Sequence, residues 1–199
     1  MRLTLYDAIF ARLSCVRNID GAPAYIKTQR TDSGAEESPQ TIKTFDLWNE
    51  QVAHLNEQRP FELPAVFVEF SPIVWGQSGR GSKYADVEMR LHILTATLAT
   101  PNSPYKDAAL YRLHLIRAIE QAFVGFAGVA KEEQRGFGTF VHIESDSDHN
   151  HEQVCEDIEI WRTRCFDRSM IGRNLIDTPL DVTLDDGNVF TFIFDERFT

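Results

Sequence analysis

The densest run of chemically capable side chains is Glu144-Ser145-Asp146-Ser147-Asp148-His149-Asn150-His151-Glu152, where six of nine residues carry a carboxylate or an imidazole. Donors of these kinds bind divalent metals when their spacing brings them to one point. Here the spacing does not. His149 and His151 are two residues apart, which places them on opposite faces of an extended chain and about 200° apart on a helix. Neither the helical His-x-x-x-His pair of zinc sites nor a calcium loop with its glycine and terminal glutamate is present. The adjacent letters His149-Asn150-His151 spell a nuclease motif, but that motif's residues are dispersed through a longer fold. The segment therefore reads as a solvated loop between two strands. Asp146, Asp148, His149 and His151 are weak metal candidates within it, and no metal is expected.

Other chemistry is equally unsupported by spacing. No Gly-x-Ser-x-Gly elbow occurs, so no serine is set for nucleophilic attack. His92 falls on the polar face of its strand and is expected at the surface, while His54 and His114 read as boundary residues of helices. Gly76, Gly79 and Gly81 lack a Walker lysine and a following Rossmann helix, so they mark a hairpin connection. No catalytic residue and no cofactor is assigned. A small metal-dependent enzyme using the acidic histidine loop 144–152, or an unrelated adaptor or binding protein, are the alternative functions.

The elements that must position these residues follow from pattern and composition. A chain of 199 residues with 43% hydrophobic and 25% charged residues can build one core. Its net charge of −10 argues against a surface that grips duplex nucleic acid and reads first as a merely soluble acidic surface, while leaving room for a wall that DNA slides past. No apolar run approaches the roughly 20 residues of a membrane span, and the N-terminus does not read as a signal peptide. Of the three cysteines, Cys155 and Cys165 would sit roughly 33 Å apart on one unbroken strand. That is too far for a disulfide, so free thiols in a reducing compartment are expected.

Leu5, Ile9, Leu13 and Val16 predict a helix from about Leu5 to Val16, with Thr4 and Asp7 as a capping-box-like start. Residues 29–41 hold no apolar side chain larger than alanine and read as a mobile loop. Phe45, Trp48, Val52 and Leu55 suggest a second amphipathic helix closed by Pro60. Leu63 to Phe70 reads as a buried strand with Pro64 at its beginning. Val87, Met89, Leu91 and Ile93 alternate with Asp86, Glu88, Arg90 and His92, as in a half-exposed antiparallel strand. Ser103-Pro104 opens a helix to about Val124 whose buried stripe is Ala109, Leu113, Ile116, Ile119 and Phe123, with Gly125 as its stop. Strands follow over 137–145 and 154–166. Leu180, Val182 and Leu184, the turn Asp185-Asp186-Gly187-Asn188, and Val189 to Phe194 predict a hairpin. The whole is one α+β domain over 1–199: a mostly antiparallel sheet on two or three helices, a core at about 5–167, and a C-terminal hairpin extension at about 178–196.

In its order, this chain resembles the tail terminator, or tail completion, proteins of long-tailed bacteriophages and prophages. The residues that carry the resemblance are Trp48-Asn49-Glu50-Gln51, Leu63 to Phe70, the strand Asp86 to Leu94, and the helix Leu110 to Phe123. Asp146-Ser147-Asp148-His149, Ile158-Glu159-Ile160-Trp161 and Phe166-Asp167 complete it, over roughly 5–167. The resemblance implies a subunit that forms a ring, commonly a hexamer, capping the tail tube. Its partners would be itself, the tail tube protein and the head–tail connector, with DNA passing through the lumen unread and no membrane involved. It would act in the bacterial cytoplasm during assembly and then in the virion tail or neck. The polar loop and the C-terminal extension depart from the pattern. In that extension Phe190, Phe192 and Phe194 share one face and Val189, Thr191 and Ile193 the other. Phe190, Phe192 and Phe194 are the candidate assembly surface, against either the chain's own sheet or a neighbouring subunit.

Overall fold

The computed structural model describes residues 1–17, 21, 23–25, 41–50, 61–77, 82–96, 105–130, 134–148, 154–168, 180–183 and 189–192, with the backbone alone at 105–109, 130, 180–183 and 189–192. The loop expected at 29–41 lies outside them except for Thr41, as do Val52, His54, Leu55, Pro60, Ser103, Pro104, His149, His151 and Phe194. The helices are α1 (Arg2–Cys15) and α2 (Tyr105–Phe123). The strands are β1 (Thr44–Leu47), β2 (Ala65–Phe70), β3 (Gly76–Gln77), β4 (Lys83–Ala96), β5 (Gly128–Ala130), β6 (Arg135–Phe137), β7 (Val141–Asp148), β8 (Val154–Asp167), β9 (Leu180–Thr183) and β10 (Val189–Phe192). Eight of them form one sheet in the order β1-β2-β4-β8-β6-β5, with β3 paired to β4 and β7 to β8. Every pairing is antiparallel except β1 with β2. The fold is α+β.

The sheet is organised by β4 and β8, which pair without a break from Lys83↔Asp167 to Ala96↔Val154. The alternation read from the sequence holds: Val87, Met89, Leu91 and Ile93 are buried on one face. They join one core with Leu5, Ile9 and Leu13 of α1 and Leu115, Ile119 and Phe123 of α2. Arg12 of α1 donates from Nε to the Ala122 carbonyl at 2.8 Å. Its guanidinium also lies 5.2 Å from the Phe126 ring centroid. One side chain thus satisfies a carbonyl that α2 cannot bond internally and ties the two helices together. Gly125, at φ +70°, ends α2 in the left-handed region that glycine enters without strain.

Several expectations are corrected. Helix α1 begins at Arg2, with Met1 as its N-cap and no side-chain cap bond, so Thr4 and Asp7 lie inside the helix rather than framing its start. The segment at Phe45 is a strand, not a helix. Backbone N–H groups of Lys43 and Trp48 donate to the carbonyls of Pro64 (2.8 Å) and Val68 (3.0 Å). Phe45 joins the helix-facing core and Trp48 packs with the small core of Phe67, Leu94 and Val154. A spacing of three suits one helical face, but it equally places two residues on opposite sides of a strand. Among the described side chains of α2, Leu115, Ala118, Ile119, Ala122 and Phe123 are buried and Ile116 packs beside them, while Leu113 is 58% exposed; the side chain of Ala109 lies outside the described ones. The stripe is rotated because Arg112, rather than Leu113, turns toward β8, as described below. Strand β7 runs to Asp148, past the limit read from the sequence, so Glu144 to Asp148 belong to the sheet and not to a loop.

Leu115→Ala is expected to cost about 2–5 kcal/mol of stability, whereas Leu113→Ala should stay within about 0.5 kcal/mol. Urea unfolding followed by circular dichroism measures both. The reverse ranking would restore the face expected from the sequence.

Candidate functional site

The acidic side chains of β8 define two polar clusters on opposite faces of the sheet. Glu156, Asp157 and Glu159 are only 4%, 3% and 3% exposed. Burial of a carboxylate is costly unless it is paired or hydrogen-bonded. On the face away from the helices, His92 Nδ1 lies 2.6 Å from Glu156 Oε1 and Nε2 lies 3.3 Å from Glu69 Oε2. Glu69 also meets Arg90 at 3.5 Å. The Trp48 ring stacks on the imidazole with centroids 3.9 Å apart and planes 3° from parallel. His92 is therefore not at the surface, as its strand pattern suggested. Trp48, Phe61, Leu63, Phe67, Leu94 and Val154 form a second, smaller core that covers this half of the polar face. With both ring nitrogens engaged and a ring stacked on it, His92 braces two carboxylates.

On the helix face, the guanidinium of Arg112 from α2 forks onto both oxygens of Asp157. Those hydrogen bonds, more than the opposing effect of burial, raise the Arg112 pKa further above its usual range. Ser147 Oγ donates to Asp157 Oδ1 at 2.8 Å. Two residues along, Glu159 Oε2 lies 2.6 Å from His142 Nε2 and accepts from Ser145 Oγ at 2.6 Å. His142 stacks on Trp161 with centroids 4.5 Å apart. Glu120, reaching down from α2, brings a carboxylate oxygen to the same point. One donor atom each from Glu120, His142 and Glu159 lies within 4.8 Å of the others.

The candidates read from the sequence are placed differently. Asp146 and Asp148 pair in the ladder with Ile158 and Glu156, on the opposite side of β7 from Ser145 and Ser147. Asp146 accepts the backbone N–H of Ser147 at 2.8 Å. His149 and His151 lie outside the described residues, so the loop set is not brought together among them. In the hairpin, Phe190 pairs with Val182 and Phe192 with Leu180. His114 is half-buried on α2. The residues that do converge, Glu120, His142 and Glu159, come from three elements. Their one sequence signal is that Asp157 and Glu159 occupy the same alternation as Trp161, Thr163 and Cys165, on a face that must be buried.

Two further features bear on chemistry. Burial pushes the Cys165 thiol up to about 12, which removes it as a nucleophile near neutral pH. A groove of about 560 Å³ between α1 and β5–β6 is lined by Leu3, Ala8, Phe126, Val129 and Phe137. No helix among the described residues is long and apolar enough to cross a membrane.

No family model matches the chain, and no curated protein matches it.

Arg112→Ala leaves Asp157 buried without its cation and is expected to cost about 3–5 kcal/mol in urea unfolding. Adding Asp157→Asn should recover a large part of that loss, and a double mutant no better than the single would contradict the pairing. Thiol titration provides a separate check. Cys15, which is exposed, should react in the native protein, and Cys165 only after unfolding.

Proposed function

We propose that this chain is a structural subunit of a phage or prophage tail or neck, resembling the terminators that cap the tail tube as a ring and join it to the head connector. The resemblance over residues 5–167 supports this reading, as does the α+β architecture of antiparallel strands against helices. The observation that carries it is the β9–β10 hairpin. Among the described residues it forms a two-stranded sheet of its own, with no hydrogen-bonded tie to the eight-stranded sheet. A two-stranded hairpin is marginally stable alone in water, so it needs a surface to cover. The apolar pattern of Phe190, Phe192 and Phe194 in its sequence suits that role.

A neighbouring copy offers such a surface. Strand β7 has β8 on one side and, among the described residues, no strand on the other, and its Val141 and Ile143 are exposed. An arm from one subunit laid on a different surface of the next is a heterologous contact, and repeated heterologous contacts close into a ring when the rotation permits. The tail tube protein and the connector would be the ring's axial partners. The net charge of −10 suits a lumen through which DNA passes without sticking. In this reading the protein works in the bacterial cytoplasm during assembly and in the virion thereafter.

The 199-residue chain incubated with tubes of purified phage tail tube protein tests this by negative-stain microscopy and mass photometry. A ring at one tube end is expected, and tubes that stay bare with no oligomer would sink the proposal. Truncation after Asp167 should leave a folded monomer that no longer assembles. An insoluble or molten truncated chain would instead place the hairpin in its own subunit's core.

A further inference from the structure

We propose that Glu120, His142 and Glu159 form a binding site for a divalent transition metal of the zinc type, where α2 crosses β7 and β8. It lies outside the acidic loop that the sequence singled out, and it stands whatever the chain assembles with.

Geometry supplies the first argument. One oxygen or nitrogen from each residue lies within 4.8 Å of the other two. Around a tetrahedral zinc ion with bonds of about 2.0–2.2 Å, donors sit about 3.5 Å apart. Seating an ion therefore needs the 2.6 Å His142–Glu159 contact to open and the wider separations to close, by side-chain shifts of about an ångström. The frame that holds the donors is stiff. Glu159 is buried on β8, and Trp161, 2% exposed, backs the His142 ring. Ser145 Oγ bonds Glu159 Oε2 at 2.6 Å, which is the kind of outer hydrogen bond that orients a ligating carboxylate.

Charge supplies the second argument. Other buried acids of this sheet each have a basic partner: Asp157 has Arg112, Glu156 has His92, and Asp167 has Arg135. Glu159 has His142 at 2.6 Å in the same way, but here Glu120 brings a second carboxylate to that single imidazole. Among the described residues neither is paired with a lysine or arginine, and the Glu120 carboxylate makes no hydrogen bond. Two carboxylates approaching one point, one of them buried, repel unless a cation lies between them. Among the described residues His142 is the basic group at that point, and its Nε2 is itself a metal donor.

The donor set also selects the ion. Magnesium and calcium favour all-oxygen shells, whereas an imidazole with two carboxylates suits zinc and its first-row neighbours. Three protein ligands leave one tetrahedral position for water or an outside ligand. The exposed side of His142 gives that position access to solvent.

Zinc titration of the chelator-stripped 199-residue chain by calorimetry tests the proposal. One saturable site of micromolar affinity or tighter is expected. His142→Ala and Glu120→Gln should each weaken it by at least about tenfold, and Ser145→Ala, which removes the outer partner, by roughly tenfold. The double variant His149→Ala/His151→Ala should bind as the parent does. Cobalt(II) should give the strong visible absorption of four-coordinate geometry, and the band should vanish in His142→Ala. Circular dichroism confirms that each variant is folded, and Glu120→Gln, at a half-exposed helix position, carries the test if His142→Ala is not. Absence of saturable binding overturns the proposal, as does binding indifferent to both substitutions or binding lost only with His149 and His151. Displacement of zinc by a roughly hundredfold excess of magnesium would also overturn it, since that marks a nonselective acidic surface.

Discussion

The uninterrupted pairing of β4 with β8 is the constraint from which the rest of this structure follows. Each strand has 14 residues, so the ladder extends about 45 Å. Over that length the alternation of side chains cannot be altered without breaking the ladder, because a slip of one residue exchanges the two faces. Both faces must therefore be dealt with along their whole length. On one, α1 and α2 cover Ala85 through Ile93 and Trp161 through Cys165. On the other, apolar cover from the described residues lies at the end near Trp48 and Phe67. Beyond it, the described residues include exposed pairs such as Arg162 with Glu88 at 3.0 Å and Arg164 over the Tyr84 ring at 4.8 Å. Exposed pairs of this sort contribute little stability; their effect is to keep that surface in water.

The helix face is not wholly apolar, and that exception orients α2. Asp157 and Glu159 occupy positions where alternation demands burial. A buried ion pair adds little net stability, but removing one partner is severe. Arg112 must therefore face β8, and with Arg112 turned inward Leu113 is left outward. Toward the other end of the helix, Phe123 closes against Trp161 and Phe140 with ring centroids 5.1 Å apart in each case. A polar clamp near the middle of the helix and an aromatic cluster at its end fix its rotation more tightly than its apolar stripe alone would.

The sequence was legible where one local rule governed. Leu5, Ile9 and Leu13 at spacings of four mark the buried face of α1. The alternation of Val87 to Ile93 marks β4, and Gly125 marks the end of α2. It was illegible where two rules agreed on different answers, as at Phe45 and Trp48, whose spacing of three fits either period. It was illegible again where a residue's environment comes from distant chain. His92 has the polar-face position of a surface residue, and only Trp48, Phe61 and Phe67 folding over it make it a buried brace. Glu120, His142 and Glu159 belong to a helix, an edge strand and a central strand. Each looks ordinary in its own segment, so no local spacing could group them, whereas Asp146, Asp148, His149 and His151 drew notice by being adjacent.

The register of β7 shows how a single irregularity decides which chemistry is available. His142 pairs with Trp161 and Glu144 with Ile160, so Ile143 is an extra residue, and the ladder shifts there. Continued without that bulge, the pairing would set Glu144 opposite Glu159 and Asp146 opposite Asp157. Two like-charged pairs would then face each other at the closest distance a sheet allows, which is destabilising. The bulge moves Ser145 and Ser147 into those places, where their hydroxyls donate to the two buried carboxylates. Glu144 and Asp146 turn to the other side, against Ile160 and Ile158. The same shift sets Asp148 opposite Glu156, whose carboxylate His92 already engages. Bulges are common where a side chain must be re-aimed. Here the extra residue keeps His142 stacked on Trp161 while exchanging acids for hydroxyls beside it, and so leaves Glu159 open to an imidazole, a hydroxyl and the carboxylate descending from α2.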